Sequence, residues 1–288
     1  MKRIKLLILL LAMAASTAFA WAQETSGTCG ANLTWEYDAG TLTLSGTGAM
    51  YDYNIYNSYD NNFSRAAPWM EHYWDRIRNV VVDEGVTQIG YCAFCQCENL
   101  VSVSLPSSLT SIGESAFSVC LNLPTINFPE GLKSIGENAF EECNALTSLV
   151  LPASLESLGM FAFQACDNLT SVELPESLKN IGSYVFQNSK KISDITVHWT
   201  SLEGVSVGYN IFNSHPNPGS ITLHIPAGTK SIYENADPWK DLKIVEEEQG
   251  IEEIRTNPAV NGRKVIYNGQ VYILQEGKSY TLTGTEIK

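Results

Sequence analysis

Ile89 to Ser111 reads IGYCAFCQCENLVSVSLPSSLTS, and the chain rewrites this stretch as far as about Asn180. The period is 23 residues: Ile89, Ile112, Ile135, Leu158 and Ile181 open successive copies, each followed by Gly. Three further apolar series keep the phase. They are Phe94, Phe117, Phe140, Phe163, Phe186; Leu100, Leu123, Leu146, Leu169, Ile192; and Val103, Ile126, Leu149, Val172, Ile195. A register held over more than a hundred residues without insertion indicates a solenoid or array of stacked units.

Within a unit, Val103 and Leu105 alternate with polar residues, which reads as a short strand, and Pro106 ends it. Proline lacks a ladder donor, so Pro106, Pro129, Pro152 and Pro175 mark the same exit corner in each coil. SLTSIG forms a second, straighter side. The spacing of GxxAFxxC predicts one or two helical turns as an outer wall, with Ala116 and Phe117 turned inward. No unit can bury its Leu, Ile and Phe alone, so neighbours stack and their strands form a parallel sheet.

The consensus LxxIxxxAFxxCxxLxxIxLPxxL is met nearly in full by the second to fourth copies; the fifth has Ser189 at the Cys slot and His198 at the Pro slot. On these residues the chain resembles the BspA-like, treponemal-type branch of leucine-rich-repeat proteins over roughly Trp69 to Lys243. The resemblance implies an α/β repeat fold, a leucine-rich-repeat solenoid with a parallel sheet. It also implies adhesion to host or bacterial surface macromolecules.

The remaining segments give the organisation. MKRIKLLILLLAMAASTAFAWA has a basic start, an apolar run and small residues at Ala18, Ala20 and Ala22, so 1–22 reads as a signal peptide. The mature protein is then secreted or held at the cell surface, with no membrane insertion of its own. Cys29 lacks a lipobox. Residues 23–79 form an N-terminal cap and aromatic segment, in which Leu33, Trp35, Tyr37 and then Leu42, Leu44 alternate about Asp38–Gly40 as a β-hairpin. This hairpin caps the open end of the first coil, and CGANLTW and SGTGAM resemble the family's flank.

Repeats occupy 80–203. In 204–248 the strand positions Val197 and Ile225 are 28 apart, so an insertion precedes a divergent last repeat. There Thr229 is expected to cap a short helix, and Tyr233 and Trp239 to cover the last coil. Glu246, Glu247, Glu248, Glu252 and Glu253 read as a charged linker. Residues 249–288 are linker and tail: Asn268-Gly269 sits between alternating runs as a hairpin signal, and a third strand is expected at Tyr280 to Leu282. This short C-terminal β module resembles sorting modules of exported Bacteroidetes-type proteins.

The chain carries 18 basic and 31 acidic residues, and loss of Lys2, Arg3 and Lys5 leaves 15 against 31, a net of −16. Such a surface repels phosphate backbones, so nucleic acid is not an expected partner.

Cys97, Cys120, Cys143 and Cys166 recur once per coil and read as a packing ladder of small hydrophobes. Cys92 and Cys95 form a CxxC without a second pair or nearby His, so a local disulfide and free thiols both remain open. No HExxH, GxSxG or phosphate-loop pattern is present. No catalytic residue, metal ligand or cofactor is expected, and the chain is not read as an enzyme.

Two surfaces are candidates for a protein or glycan partner. The first is the sheet face, where outward residues form the rows Asn79, Ser102, Thr125, Ser148, Ser171, Asp194 and Val81, Ser104, Asn127, Val150, Glu173, Thr196. Six strands about 4.8 Å apart would give a face roughly 24 Å long, suited to an extended polymer or flat protein; these small residues equally suit any exposed strand. The second is the aromatic segment with Tyr51, Tyr53, Tyr56, Tyr59, Trp69 and Trp74. Aromatic platforms stack on sugars or anchor proteins, but the same residues suit a loop covering the first coil, which is the preferred reading. A glycan-acting enzyme using that segment, or a plain structural spacer, are the alternatives to adhesion.

Overall fold

The computed structural model describes residues 24–53 and 66–247, together with five strands of the C-terminal tail. The expected signal peptide, 1–22, and Tyr56 and Tyr59 lie outside the described residues.

The chain enters as an antiparallel cap of β1 (Ser26–Gly30), β2 (Leu33–Asp38) and β3 (Thr41–Gly46), followed by β4 (Gly48–Ala49). Asp38 pairs with Thr41 across Ala39 and Gly40, both at positive φ, as a tight hairpin with the right twist requires. A one-turn helix α1 (Met70–Tyr73) leads into β5 (Asn79–Val82), which pairs in parallel with β3. The hairpin thus occupies the position of a preceding coil and closes the sheet edge.

Each coil then supplies two short strands. The first coil continues with β6 (Val86–Ile89) and the next has β7 (Ser102–Ser104) and β8 (Ser111–Ile112). After these come β9 (Ser134–Ile135), β10 (Ser148–Val150), β11 (Ser157–Leu158), β12 (Ser171–Leu174), β13 (Asn180–Ile181), β14 (Asp194–Val197), β15 (Ser206–Val207) and β16 (Thr222–Ile225). The second side is one seven-stranded sheet from β4 to β15, with Ile89, Ile112, Ile135, Leu158 and Ile181 in register. The glycine after each of these residues lets coils meet closely. A Cβ on Gly159 would lie 2.3 Å from the Glu137 nitrogen, and one on Gly182 2.4 Å from that of Met160.

The first side is not continuous, contrary to expectation. It divides into β1-β2-β3-β5-β7 and a second sheet beginning at β10, with no strand over Thr125 to Asn127. The cause is Pro124. At the equivalent slot the amides of Val101, Thr170 and Ser193 donate to the preceding coil's Arg78, Thr147 and Thr170 carbonyls at 2.8–2.9 Å. Proline has no such donor. The larger Phe128 also replaces leucine in this coil, its ring edge-on to Phe140 at 5.6 Å.

The outer wall is not helical. Pairs of residues such as Ser115 and Val119, Asn138 and Glu142, and Phe161 and Ala165 adopt φ between 52° and 62°. This alternation turns amides toward the neighbouring coil instead of along the chain. Phe117 N donates to Ala139 O, Phe140 N to Ala162 O and Phe163 N to Val185 O at 2.8–3.0 Å.

Inside, the phenylalanines stack. Phe94, Phe117, Phe140 and Phe163 lie 5.1–5.2 Å apart with interplanar angles of 3–22°, and the stack continues through Phe186 to Phe212. Trp69 closes one end on Phe94 and Trp239 the other on Phe212. The seven cysteines are free and buried. Those of the ladder are more than filler: the Cys120, Cys143 and Cys166 thiols donate to the carbonyls of Phe94, Phe117 and Phe140 at 3.3–3.4 Å.

At the far end Asp194 pairs with Thr222, the offset of 28. Helix α2 (Lys230–Tyr233) follows, then β17 (Lys243–Glu246) extends the sheet beyond β16. Tyr233 and Trp239 are buried, and the Tyr233 hydroxyl donates to the Trp199 carbonyl at 2.7 Å. Thr229 does not cap α2; its hydroxyl donates back to the Pro226 carbonyl, and Glu246 accepts from the Lys230 amide at 3.0 Å instead. The acidic run therefore starts inside a strand, not in a linker.

The tail is an antiparallel meander of β18 (Glu252–Ile254), β19 (Arg263–Tyr267), β20 (Gln270–Gln275), β21 (Lys278–Thr281) and β22 (Glu286–Ile287). It has two more strands than expected. Tyr267 pairs with Gln270 around Asn268-Gly269, whose own residues fall outside the described set.

Candidate binding face

The outward face of the first side is built by strand pleating, which sends alternate residues to solvent. On the stretch from β10 to β17 one row runs Ser148, Ser171, Asp194, Thr222, Lys243, and its neighbour Val150, Glu173, Thr196, His224, Val245. Five continuous strands span roughly 19 Å. Ser102 and Ser104 lie on β7 across the break, and Thr125 and Asn127 are exposed but outside any strand. The ten candidates are thus divided between two sheets and an unpaired stretch. Ser102 is further tied to Asn79, to which its hydroxyl donates at 2.6 Å.

Charge gathers at the C-terminal part of this face. His198 Nε2 meets Glu173 Oε1 at 2.7 Å, and His224 Nε2 meets Asp194 Oδ1 at 3.4 Å. The Ser193 hydroxyl donates to Asp194 Oδ2 at 2.7 Å. Asp194 is held below its usual range, first by the Ser193 hydroxyl and then by His224. A shallow hollow of about 730 Å³ adjoins, lined by Val150, Glu173, Glu176, Lys179 and His198 among others. Val150 is 62% exposed within it.

Ser193, Asp194 and His224 do not make a catalytic triad. A serine nucleophile is activated by a histidine that accepts its proton, with the carboxylate behind that histidine. Here the carboxylate stands between the two, so the hydroxyl is bound to an acceptor that holds its orientation without creating a nucleophile. Among the described residues no group of three His, Cys, Asp or Glu side chains is placed to hold a metal ion. None of the described helices is long and apolar enough to cross a membrane.

His198, His224 and Lys243 were not among the residues expected on this face. His198 replaces the corner proline, a visible departure. His224 and Lys243 lie beyond the insertion, and only the 28-residue offset places His224 beside Thr196.

The aromatic segment is divided between core and surface. Trp69 is fully buried, donating its indole N–H to the Ala93 carbonyl at 2.8 Å, and Tyr53 is buried with its hydroxyl on the Cys29 carbonyl. Both are corrected from candidate ligand contacts to core of the cap. Tyr51 and Trp74 are exposed.

The CxxC cysteines are both free and buried. Cys92 is held below the usual thiol range, chiefly by the Cys95 thiol, and Cys95 is pushed up by the same contact and by burial.

Structures with a similar course include a leucine-rich-repeat protein of T. pallidum, 22% identical, covering 74% of this chain and 93% of its own, with a TM-score of 0.43. Another, from Bacteroides ovatus, is 21% identical over 68% of this chain and 55% of its own, with a TM-score of 0.43. A leucine rich cell surface protein of Faecalibacterium prausnitzii is 19% identical over 62% and 56%, with a TM-score of 0.40. No curated protein matches the chain significantly. Six copies of the BspA type leucine rich repeat region match residues 71–193 and 133–258, more than half of the sequence, and the chain belongs to that family.

Proposed function

We propose that this is an exported, surface-displayed binding protein that adheres to a macromolecular partner through the solvent face of β10, β12, β14, β16 and β17. The observation that carries this reading is the face itself. It is continuous over five paired strands, with small side chains on β10 and the pairs Glu173–His198 and Asp194–His224 on the strands that follow. An exposed sheet face with a shallow hollow suits a folded protein better than a small molecule, which needs a deep pocket to bury most of its area. Hydrogen-bonded side-chain pairs held by their neighbours offer specificity at little ordering cost.

Export is supported by the basic start and apolar run of residues 1–22, and the C-terminal β module is proposed as a sorting tail. No catalytic role is proposed.

The test is a binding panel of immobilised host matrix proteins and bacterial surface extracts, probed with mature protein and with a V150R/T196R variant whose changes lie on the exposed face. The reading expects at least one partner to be bound and the variant to lose at least tenfold in affinity with an unchanged unfolding midpoint. Binding that is indifferent to both substitutions removes the sheet face as the site.

A further inference from the structure

A second surface lies away from the sheet face, at the start of the outer wall. Two residues after each glycine, successive coils place Cys92, Ser115, Asn138, Phe161, Tyr184 and Asn210, all with φ between 50° and 59°. This left-handed conformation suits Asn and disfavours bulky side chains. Phe161 and Tyr184 occupy it nonetheless, and their rings stack at 5.2 Å with an interplanar angle of 8°. Neither belongs to the core, which Phe163 and Phe186 fill two residues further on. Tyr209 of the next coil then turns perpendicular, 81° to Tyr184 at 5.0 Å, and is 63% exposed.

Core packing does not account for two rings placed outside the core at conformational cost, with a third, Tyr209, set against them. Tyr209 also borders a hollow of about 710 Å³ whose lining includes Asn210, Asn213, Ser214, Asp237 and Asp241. His215 in its wall is already engaged, with Nε2 on the Ile192 carbonyl and Nδ1 accepting from the Asn217 amide. Asp237 is paired with Lys240 at 2.7 Å. An aromatic face beside carboxamides and carboxylates matches the two sides of a sugar ring: apolar C–H groups pack on the aromatic surface, and hydroxyls reach the polar groups. Two aspartates in the lining, on a chain with 31 acidic and 18 basic residues, oppose uronates and sulfated sugars.

We propose that Phe161, Tyr184 and Tyr209, with Asn210, Asn213 and Asp241, form a binding platform for an uncharged glycan chain, separate from the sheet face. The sugar nearest the hollow packs on Tyr209, and the stacked pair behind it sets that ring's orientation.

The experiment is affinity electrophoresis of the mature chain in gels containing mixed-linkage β-glucan, xylan, mannan or dextran, with hyaluronan as the anionic comparison. At least one neutral polysaccharide is expected to retard the protein, and hyaluronan is not. Y209A should weaken retardation at least tenfold, Y209F should keep most of it because the ring face remains, and V150R/T196R should leave it unchanged. The proposal is overturned if no neutral polysaccharide retards the protein, if hyaluronan does so equally, or if Y209A migrates like the parent. It is equally overturned if the sheet-face variant abolishes retardation, which would assign the glycan to that face.

Discussion

The Ser189 hydroxyl donates to the Phe163 carbonyl at 3.0 Å, repeating in the fifth coil the bond that the Cys166 thiol makes to the Phe140 carbonyl at 3.4 Å. Ser189 also accepts from the Cys166 amide at 3.0 Å. What looks like a break in the sequence pattern is the same hydrogen-bonding slot filled by a different donor.

The ladder should therefore accept a hydroxyl. Cys143→Ser is expected to change stability by less than about 1 kcal/mol, whereas Cys143→Ala loses the bond and leaves a small cavity, costing about 2 kcal/mol. Denaturant unfolding of the two variants checks this. A serine variant as damaged as the alanine variant would refute the slot.

Burial pushes Cys97 and Cys166 up to about 12 from an ordinary thiol value of 9.0. Folding thus favours the protonated thiols. Their contribution to stability is complete below about pH 9 and is lost as pH rises from there through about 12. An unfolding midpoint measured from pH 8 upward should fall across that window, and should fall less in a variant with both residues replaced by serine. Alkylation at pH 8 should leave both thiols unlabelled until denaturant is added.

Phe140 stacks between Phe117 and Phe163 at 5.2 Å on either side and is fully buried. Phe140→Ala should cost about 3 to 5 kcal/mol. A loss below about 1 kcal/mol in equilibrium unfolding would contradict the stacked core.

Restoring an amide at the break should close the ladder. Pro124→Thr supplies the donor that Val101 and Thr170 have at that slot. The added hydrogen bond and the lost proline rigidity are each worth about 1 kcal/mol and offset one another, so exchange is a better readout than stability. The amides of Thr125 to Phe128 are expected to exchange at least tenfold more slowly than in the parent. Unchanged exchange would mean that Pro124 is not what divides the sheet.

Much of this was legible in the sequence because a 23-residue period fixes which residues face inward without reference to distant partners. Phe94 to Phe186 followed from it, while the entry hairpin was legible from its own alternation about Asp38–Gly40. The wall was misread since GxxAFxxC has helix-like spacing, and sequence does not reveal that residues such as Val119 and Glu142 take a left-handed conformation. The sheet break was written in Pro124, yet the apolar series kept its phase through Ile126 and masked it. His224 and Lys243 were hidden by the insertion, which shifts their partners out of the period. Phe161 and Tyr184 stood in plain view. Their meaning emerged only once their rings proved to stack on each other outside the core cluster.

The most direct test of the binding reading is carboxylate footprinting of the mature protein, alone and with a partner found in the panel, read by mass spectrometry. Labelling of Glu173 and Asp194 should drop at least fivefold in the complex, while Glu98 on the outer wall labels equally in both. Equal labelling of Glu173 and Asp194 with and without the partner would contradict binding through this face.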